Sequence, residues 1–240
     1  MTDPSLGIVL YLGYFGAAAL LALAVKALLA PPFEAMRKAL HLVMTLSIFP
    51  LVHLFDTWHM AVVATGTLVL IGYPALALIE ASPRFKELAV ERGGGEFKRS
   101  LVVVQVAFAA LIVIFWGVLG PDSRFIAVAA VMAWGFGDAA AALVGTSVGR
   151  SRIRHPWVER TKTVEGTLAM LVVAGLALFL TLVLYAGVSP GLGLTVALLV
   201  APLSAGVELC SRNGSDTLTV PLATGLGIVT AFALVTSLGA

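Results

Sequence analysis

The chain has 240 residues, 60% hydrophobic and 12% charged, with a mean hydropathy of +1.02. A water-soluble domain carries about a quarter charged residues, so a soluble enzyme is excluded, and a formal net charge of +2 leaves no basic surplus for a nucleic-acid partner. The lone cysteine, Cys210, excludes an internal disulfide.

A hydrocarbon core of about 30 Å takes roughly 20 apolar residues of helix to cross. Runs of that length predict an all-α, polytopic integral membrane bundle of about eight transmembrane helices, at 6–29, 37–55, 59–79, 100–120, 123–144, 165–187, 191–209 and 218–238. Together they form a single transmembrane domain over 1–240. The segment before the first run lacks a basic region and contains Asp3, so that run is expected to stay as a helix rather than be cleaved as a signal. Pro31-Pro32 stops it, and Pro121 and Ser189-Pro190-Gly191 mark later turns. Very short connections make 37–55/59–79 and 100–120/123–144 antiparallel hairpins, whereas the loops 80–99 and 145–164 are long.

Fourteen of the fifteen Lys and Arg residues fall in the loops after the first, third, fifth and seventh spans, and only Arg124 falls opposite. The side richer in Lys and Arg is expected to be cytoplasmic. Both termini then lie outside, and the membrane is the plasma membrane in a prokaryote. Gly13…Gly16 and Gly187…Gly193 are candidate helix contacts for an oligomer.

Charges inside a span cost at least ~2.5–3.5 kcal/mol on insertion scales and ask for a function. Asp138, in GFGDAAAALVG, lies roughly 10 Å inside the cytoplasmic end at 1.5 Å per residue. Gly135 and Gly137 before it admit close approach of a helix or ligand. An ionised Asp beside a cation or metal is favoured over a packing role. His41 shares a helical face with Arg37, and that pair, with Lys38 beside it, suits a phosphate at the interface. Gly145-Thr-Ser-Val-Gly149 offers backbone N–H groups to phosphate oxygens, although it is not a Walker A loop. In Arg160-Thr-Lys-Thr-Val-Glu-Gly166, Lys162 is a point charge suited to phosphate, with Arg160 and Thr163 beside it. Glu165 is either a ligand or a cap on the helix that starts there. Glu208 ends the seventh span, and Asp216 opens the eighth, where it also suits an N-cap. Asp138, Lys162, Glu165, Glu208 and Asp216 thus converge from four helix ends on one face. Such a set suits a Mg²⁺–nucleotide site, the carboxylates holding metal and the cations phosphate. A lipid alcohol can enter such a site from the bilayer.

The motifs MRKALH (36–41), GFGDAAAALVGTSVG (135–149), RTKTVEGT (160–167) and Glu208…SDTLTVP (215–221) resemble, in this order, those of the CTP-dependent prenol kinases, namely dolichol, phytol and farnesol kinases. That family is distantly similar to phosphatidate cytidylyltransferases. The resemblance implies transfer of the γ-phosphoryl group of CTP to an isoprenoid alcohol, with Mg²⁺. It makes Asp138 and Asp216 metal or catalytic carboxylates. It has Lys162 and the Gly145–Gly149 turn hold phosphates, and Glu165, Arg37, Lys38 and His41 complete the pocket. The family's last motif carries Asp-Asn where this chain has Asp216-Thr217. Asp138 is the first candidate for general base and His41 the second. The cytidylyltransferase signature is not visible, which favours a kinase over cytidylyl transfer. Gly135-Phe-Gly-Asp138 also matches the GxGD pattern of intramembrane aspartyl proteases, but span 100–120 has no second Asp. A transporter using Asp138 and Glu208 is the non-enzyme alternative; no inverted repeat supports it.

Overall fold

The computed structural model describes residues 3–80 and 95–237. Arg84, Lys86, Arg92 and the Gly93-Gly94 pair of the long basic loop lie outside the described residues. Among those described, eight helices are long and apolar enough to cross a membrane: Pro4–Leu29, Glu34–His53, Trp58–Glu80, Phe97–Val118, Pro121–Ser147, Val164–Tyr185, Pro190–Cys210 and Asp216–Ser237. These are the eight runs expected from hydropathy. Their outward faces are apolar, with Leu20, Leu70 and Leu184 each at least 70% exposed. Water would penalise such surface, whereas lipid matches it.

The chain gathers into two compact units, Met1–Val113 and Ile114–Ala240. In the first, helix α1 (Pro4–Leu29) starts where Asp3 Oδ1 accepts from the Ser5 N–H at 3.0 Å. Pro4 takes the first helical position, where an N–H has no partner anyway. The helix ends at Ala30, in the left-handed region (φ 40°), directly before Pro31-Pro32. The second span is not one helix but two, α2 (Phe33–Leu46) and α3 (Ile48–His53), broken at Ser47. Pro50 is the cause: it has no N–H for the carbonyl of Leu46, and its ring crowds that carbonyl. Helix α4 (Trp58–Glu80) and helix α5 (Glu96–Ile112) complete this unit. Hydrogen bonds between helices tie it together: Tyr11 Oη donates to Gln105 Oε1 at 3.0 Å in the interior and Tyr14 Oη to the Val43 carbonyl at 2.7 Å.

A π-helical turn, Val113–Val118, and a short 3₁₀ turn, Pro121–Ser123, lead into the second unit. Four helices follow: α6 (Arg124–Ser147), α7 (Val164–Leu180, extended by a π-helical turn to Tyr185), α8 (Pro190–Cys210) and α9 (Asp216–Ser237). Helix α6 packs on all three others and is the centre, its span 61% buried against 28% for that of α7. Its inward side is built from Ala127, Ala130, Ala133, Gly135 and Gly137, and such small residues let membrane helices approach closely. A Cβ on Gly137 would collide with the Met170 Sδ of α7 and stand 3.0 Å from the Ala174 Cβ. A Cβ on Gly225 of α9 would likewise strike the Phe115 ring. Ser204 of α8 and Thr224 of α9 share a buried hydrogen bond of 2.7 Å.

Candidate active site

Between α6 and α7 the chain doubles back on itself over 148–163. The Ile153 N–H donates to the Lys162 carbonyl at 3.1 Å, and the Val164 N–H donates to the Ser151 carbonyl at 2.9 Å. Arg152 and Thr163 pair as a single antiparallel bridge. The hairpin ends in a cap: Thr163 Oγ1 accepts from the Gly166 N–H at 3.1 Å and begins α7. Thr163 is 6% exposed, and three glycines close around it. A Cβ on Gly145 would stand 3.3 Å, one on Gly149 2.9 Å and one on Gly166 3.1 Å from its Oγ1. A Cβ on Gly149 would also strike the Gly145 carbonyl. Gly145 and Gly149 are therefore needed by packing, whatever they do toward phosphate. Glu165 secures the same hairpin, both its carboxylate oxygens accepting from the Ser151 N–H at 3.1 and 3.2 Å.

This framework delivers Lys162 to Glu208. The Lys162 ammonium donates to Glu208 Oε1, near the end of α8. Glu208 is 2% exposed, whereas the lysine side chain is 22% exposed. The second oxygen, Glu208 Oε2, is buried without a hydrogen-bond partner among the described residues. The fields of Asp138 and Asp216 also act on Glu208. Lys162 from the hairpin is thus bonded to Glu208 of α8, and half-buried Asp138 of α6 and Asp216 of the first turn of α9 act on that carboxylate through their charge. The buried Glu208 Oε2, which has no hydrogen-bond partner among the described residues, can still accept from a donor or a cation.

Among the described residues no three His, Cys, Asp or Glu side chains gather closely enough to cage a metal by themselves. Mg²⁺ does not ask for such a cage, because it takes one or two carboxylates and completes its shell with water and substrate phosphates. Glu165, expected among the metal ligands, accepts from the Ser151 N–H with both oxygens.

A recess of about 940 Å³ opens beside the hairpin, lined by Arg152, Arg154, Arg160 and Arg212. Glu159 braces it across the two loops, its Oε1 accepting from the Asn213 N–H at 2.7 Å. Of these arginines only Arg160 stands out from sequence. The others sit in the stretch read as a topology signal, where a basic residue that orients a span looks the same as one that binds an anion. Arg37, Lys38 and His41 belong to the first unit, on α2. There Arg37 pairs with Glu34 at 2.9 Å, one turn back on its own helix, and Lys38 is 4% exposed.

No protein-family profile matches the chain, and no solved structure matches it. Among curated proteins it is similar to one described as phytol kinase, from Synechocystis sp. (strain ATCC 27184 / PCC 6803 / Kazusa), at 44% identity over 104 residues. That match covers 40% of this chain and 39% of the relative's length. The chain is thus a helical membrane protein, with eight helices long and apolar enough to cross a bilayer among the described residues and partial similarity to a protein described as phytol kinase.

Proposed function

We propose that the chain is a kinase of isoprenoid alcohols, taking the γ-phosphoryl group of CTP at the cytoplasmic face of the membrane. The observation that carries this reading is the Lys162–Glu208 pair in the field of Asp138 and Asp216, with a recess lined by four arginines beside the same hairpin. The partial similarity to a phytol kinase supports the acceptor class. The preference for CTP rests on the motif resemblance.

In phosphoryl transfer the protein positions the groups and neutralises charge, with little covalent chemistry of its own. Arg152, Arg154, Arg160 and Arg212 hold the polyphosphate, as planar donors matched to phosphate oxygens. Lys162, anchored by Glu208, places its ammonium where charge builds on the transferred group. Asp138 and Asp216 would hold Mg²⁺, which supplies charge neutralisation at the phosphates. Asp138, within its span, is the first candidate to take the proton of an alcohol arriving from the lipid side.

The test is donor and product identity. Purified protein with Mg²⁺, phytol or farnesol, and γ-labelled CTP should yield the labelled alcohol monophosphate and CDP, with far less transfer from γ-labelled ATP. Release of pyrophosphate from CTP would instead indicate cytidylyl transfer. Ion-coupled flux in proteoliposomes without nucleotide consumption would indicate a transporter.

A further inference from the structure

The first unit buries an amide that its own fold does not satisfy. Gln105 lies eight residues after the start of the span Phe97–Val118, about 12 Å along it at 1.5 Å per residue. It is 1% exposed. Its Oε1 accepts from Tyr11 Oη at 3.0 Å, but Nε2, with two protons to give, is buried without a hydrogen-bond partner among the described residues. At this depth bulk water does not reach it, and an unmet donor in hydrocarbon surroundings is costly. Turning the amide over puts the carbonyl oxygen at that spot, and a ligand that both donates and accepts serves either arrangement.

The surroundings of this amide are polar as well. Tyr11 and Ser47 are each 0% exposed, and the Ser47 hydroxyl is a second hydrogen-bonding neighbour of Tyr11. Ser47 Oγ gives its own proton to the Met44 carbonyl at 2.7 Å and keeps lone pairs that can accept. Ser47 is also where α2 gives way to α3, one peptide after the Leu46 carbonyl that Pro50 leaves without its helical donor. Membrane helices tolerate such breaks where side chains or ordered waters meet the freed backbone groups. Other buried hydroxyls of this unit close on their own helices: Thr45 Oγ1 donates to the His41 carbonyl at 3.0 Å and Thr65 Oγ1 to the Val62 carbonyl at 2.7 Å. Only around Gln105 do a spare donor and spare acceptors come together from different helices. Tyr11, Ser47 and Gln105 are so enclosed that the ligand joining them is the size of water.

We infer that Tyr11, Ser47 and Gln105 form an internal water site, in which the water oxygen accepts from Gln105 Nε2 and the water protons go to Ser47 Oγ and the Leu46 carbonyl. Three such bonds are what a buried water typically makes. The water joins α5 to the break between α2 and α3 and supplies the donor that Pro50 removes. The site lies wholly within the first unit and is independent of the kinase reading.

Radiolytic footprinting of the full chain in lipid nanodiscs tests it, because X-rays turn bound water into hydroxyl radicals that oxidise the side chains beside it. Phe108 and Phe115 are as buried as Tyr11, at 0% exposure, and carry no polar side-chain atom. Tyr11 should be oxidised at least fivefold faster than either. Gln105→Leu should bring Tyr11 down to their rate, and unchanged oxidation of the exposed Trp157 is the sign that the fold is kept. Tyr11 oxidised no faster than Phe108 and Phe115, or as fast in folded Gln105→Leu as in the wild type, overturns the assignment. A high-resolution density map of the wild type is the second measurement and needs no variant. One isolated peak should stand within about 3.2 Å of the Gln105 amide, and a map without it overturns the site.

Discussion

The Lys162–Glu208 pair makes a quantitative prediction because its members are unequally buried. Glu208 is 2% exposed, and Lys162 reaches it from a hairpin with its own side chain 22% exposed. Removing one partner of a buried pair costs about 3–5 kcal/mol, most of it from the charge left behind. In Lys162→Met the stranded group is a buried carboxylate on which the charges of Asp138 and Asp216 also act. The full loss, about 3–5 kcal/mol, is expected there. In Glu208→Gln the stranded ammonium can turn toward solvent, and the loss should be nearer 1 kcal/mol, the scale of a surface pair. The double variant removes both charges and should recover most of the stability lost in Lys162→Met. Tryptophan fluorescence melts of the three variants in one detergent give the order. All three should lose transfer activity, because stability and catalysis use the pair differently. Equal melting of Lys162→Met and Glu208→Gln, or a double variant no better than Lys162→Met, would refute the reasoning.

Other consequences can be checked alongside. Gly149→Ala should destabilise the nucleotide-free protein by about 1–3 kcal/mol, as overpacking does, because its methyl group would strike the Gly145 carbonyl and Thr163. Thr163→Ala should cost about 0.5–2 kcal/mol as a lost helix cap, and Thr163→Ser very little; both are read from melts. Gly225→Ala should be destabilising through the Phe115 ring, and Phe115→Leu should rescue it in a double-mutant cycle. Neutralising Arg154 and Arg212 together should raise the nucleotide KM severalfold, leave the acceptor KM unchanged, and flatten the dependence of nucleotide KM on salt.

The eight spans are legible in the sequence because the bilayer imposes length and apolarity on every residue of a run. The break at Ser47 is legible too, from Pro50, but only when hydrogen bonding is weighed beside hydropathy. The link between Lys162 and Glu208 follows from reading polar residues near helix ends, since each costs energy there. The roles of the small and basic residues around them are not legible in the same way. Gly145 and Gly149 look alike whether they face phosphate or make room for Thr163, and the structure shows the second. A carboxylate at the start of a helix looks alike as ligand or as tie, and Glu165 is bonded to Ser151. Arg152, Arg154 and Arg212 were absorbed by the charge count that orients the spans, so their common recess emerges only in three dimensions.

The central claim is that the four-charge cluster performs phosphoryl transfer to a lipid alcohol, and Asp138→Asn tests it most directly. The substitution keeps the side chain's size on α6 and removes its charge and its capacity as a base. Label from γ-labelled CTP should pass to phytol or farnesol with the wild type, and the rate should fall at least ~100-fold in Asp138→Asn, the scale of a lost acid–base group, with an unchanged melting profile. Transfer by Asp138→Asn at the wild-type rate would contradict the account.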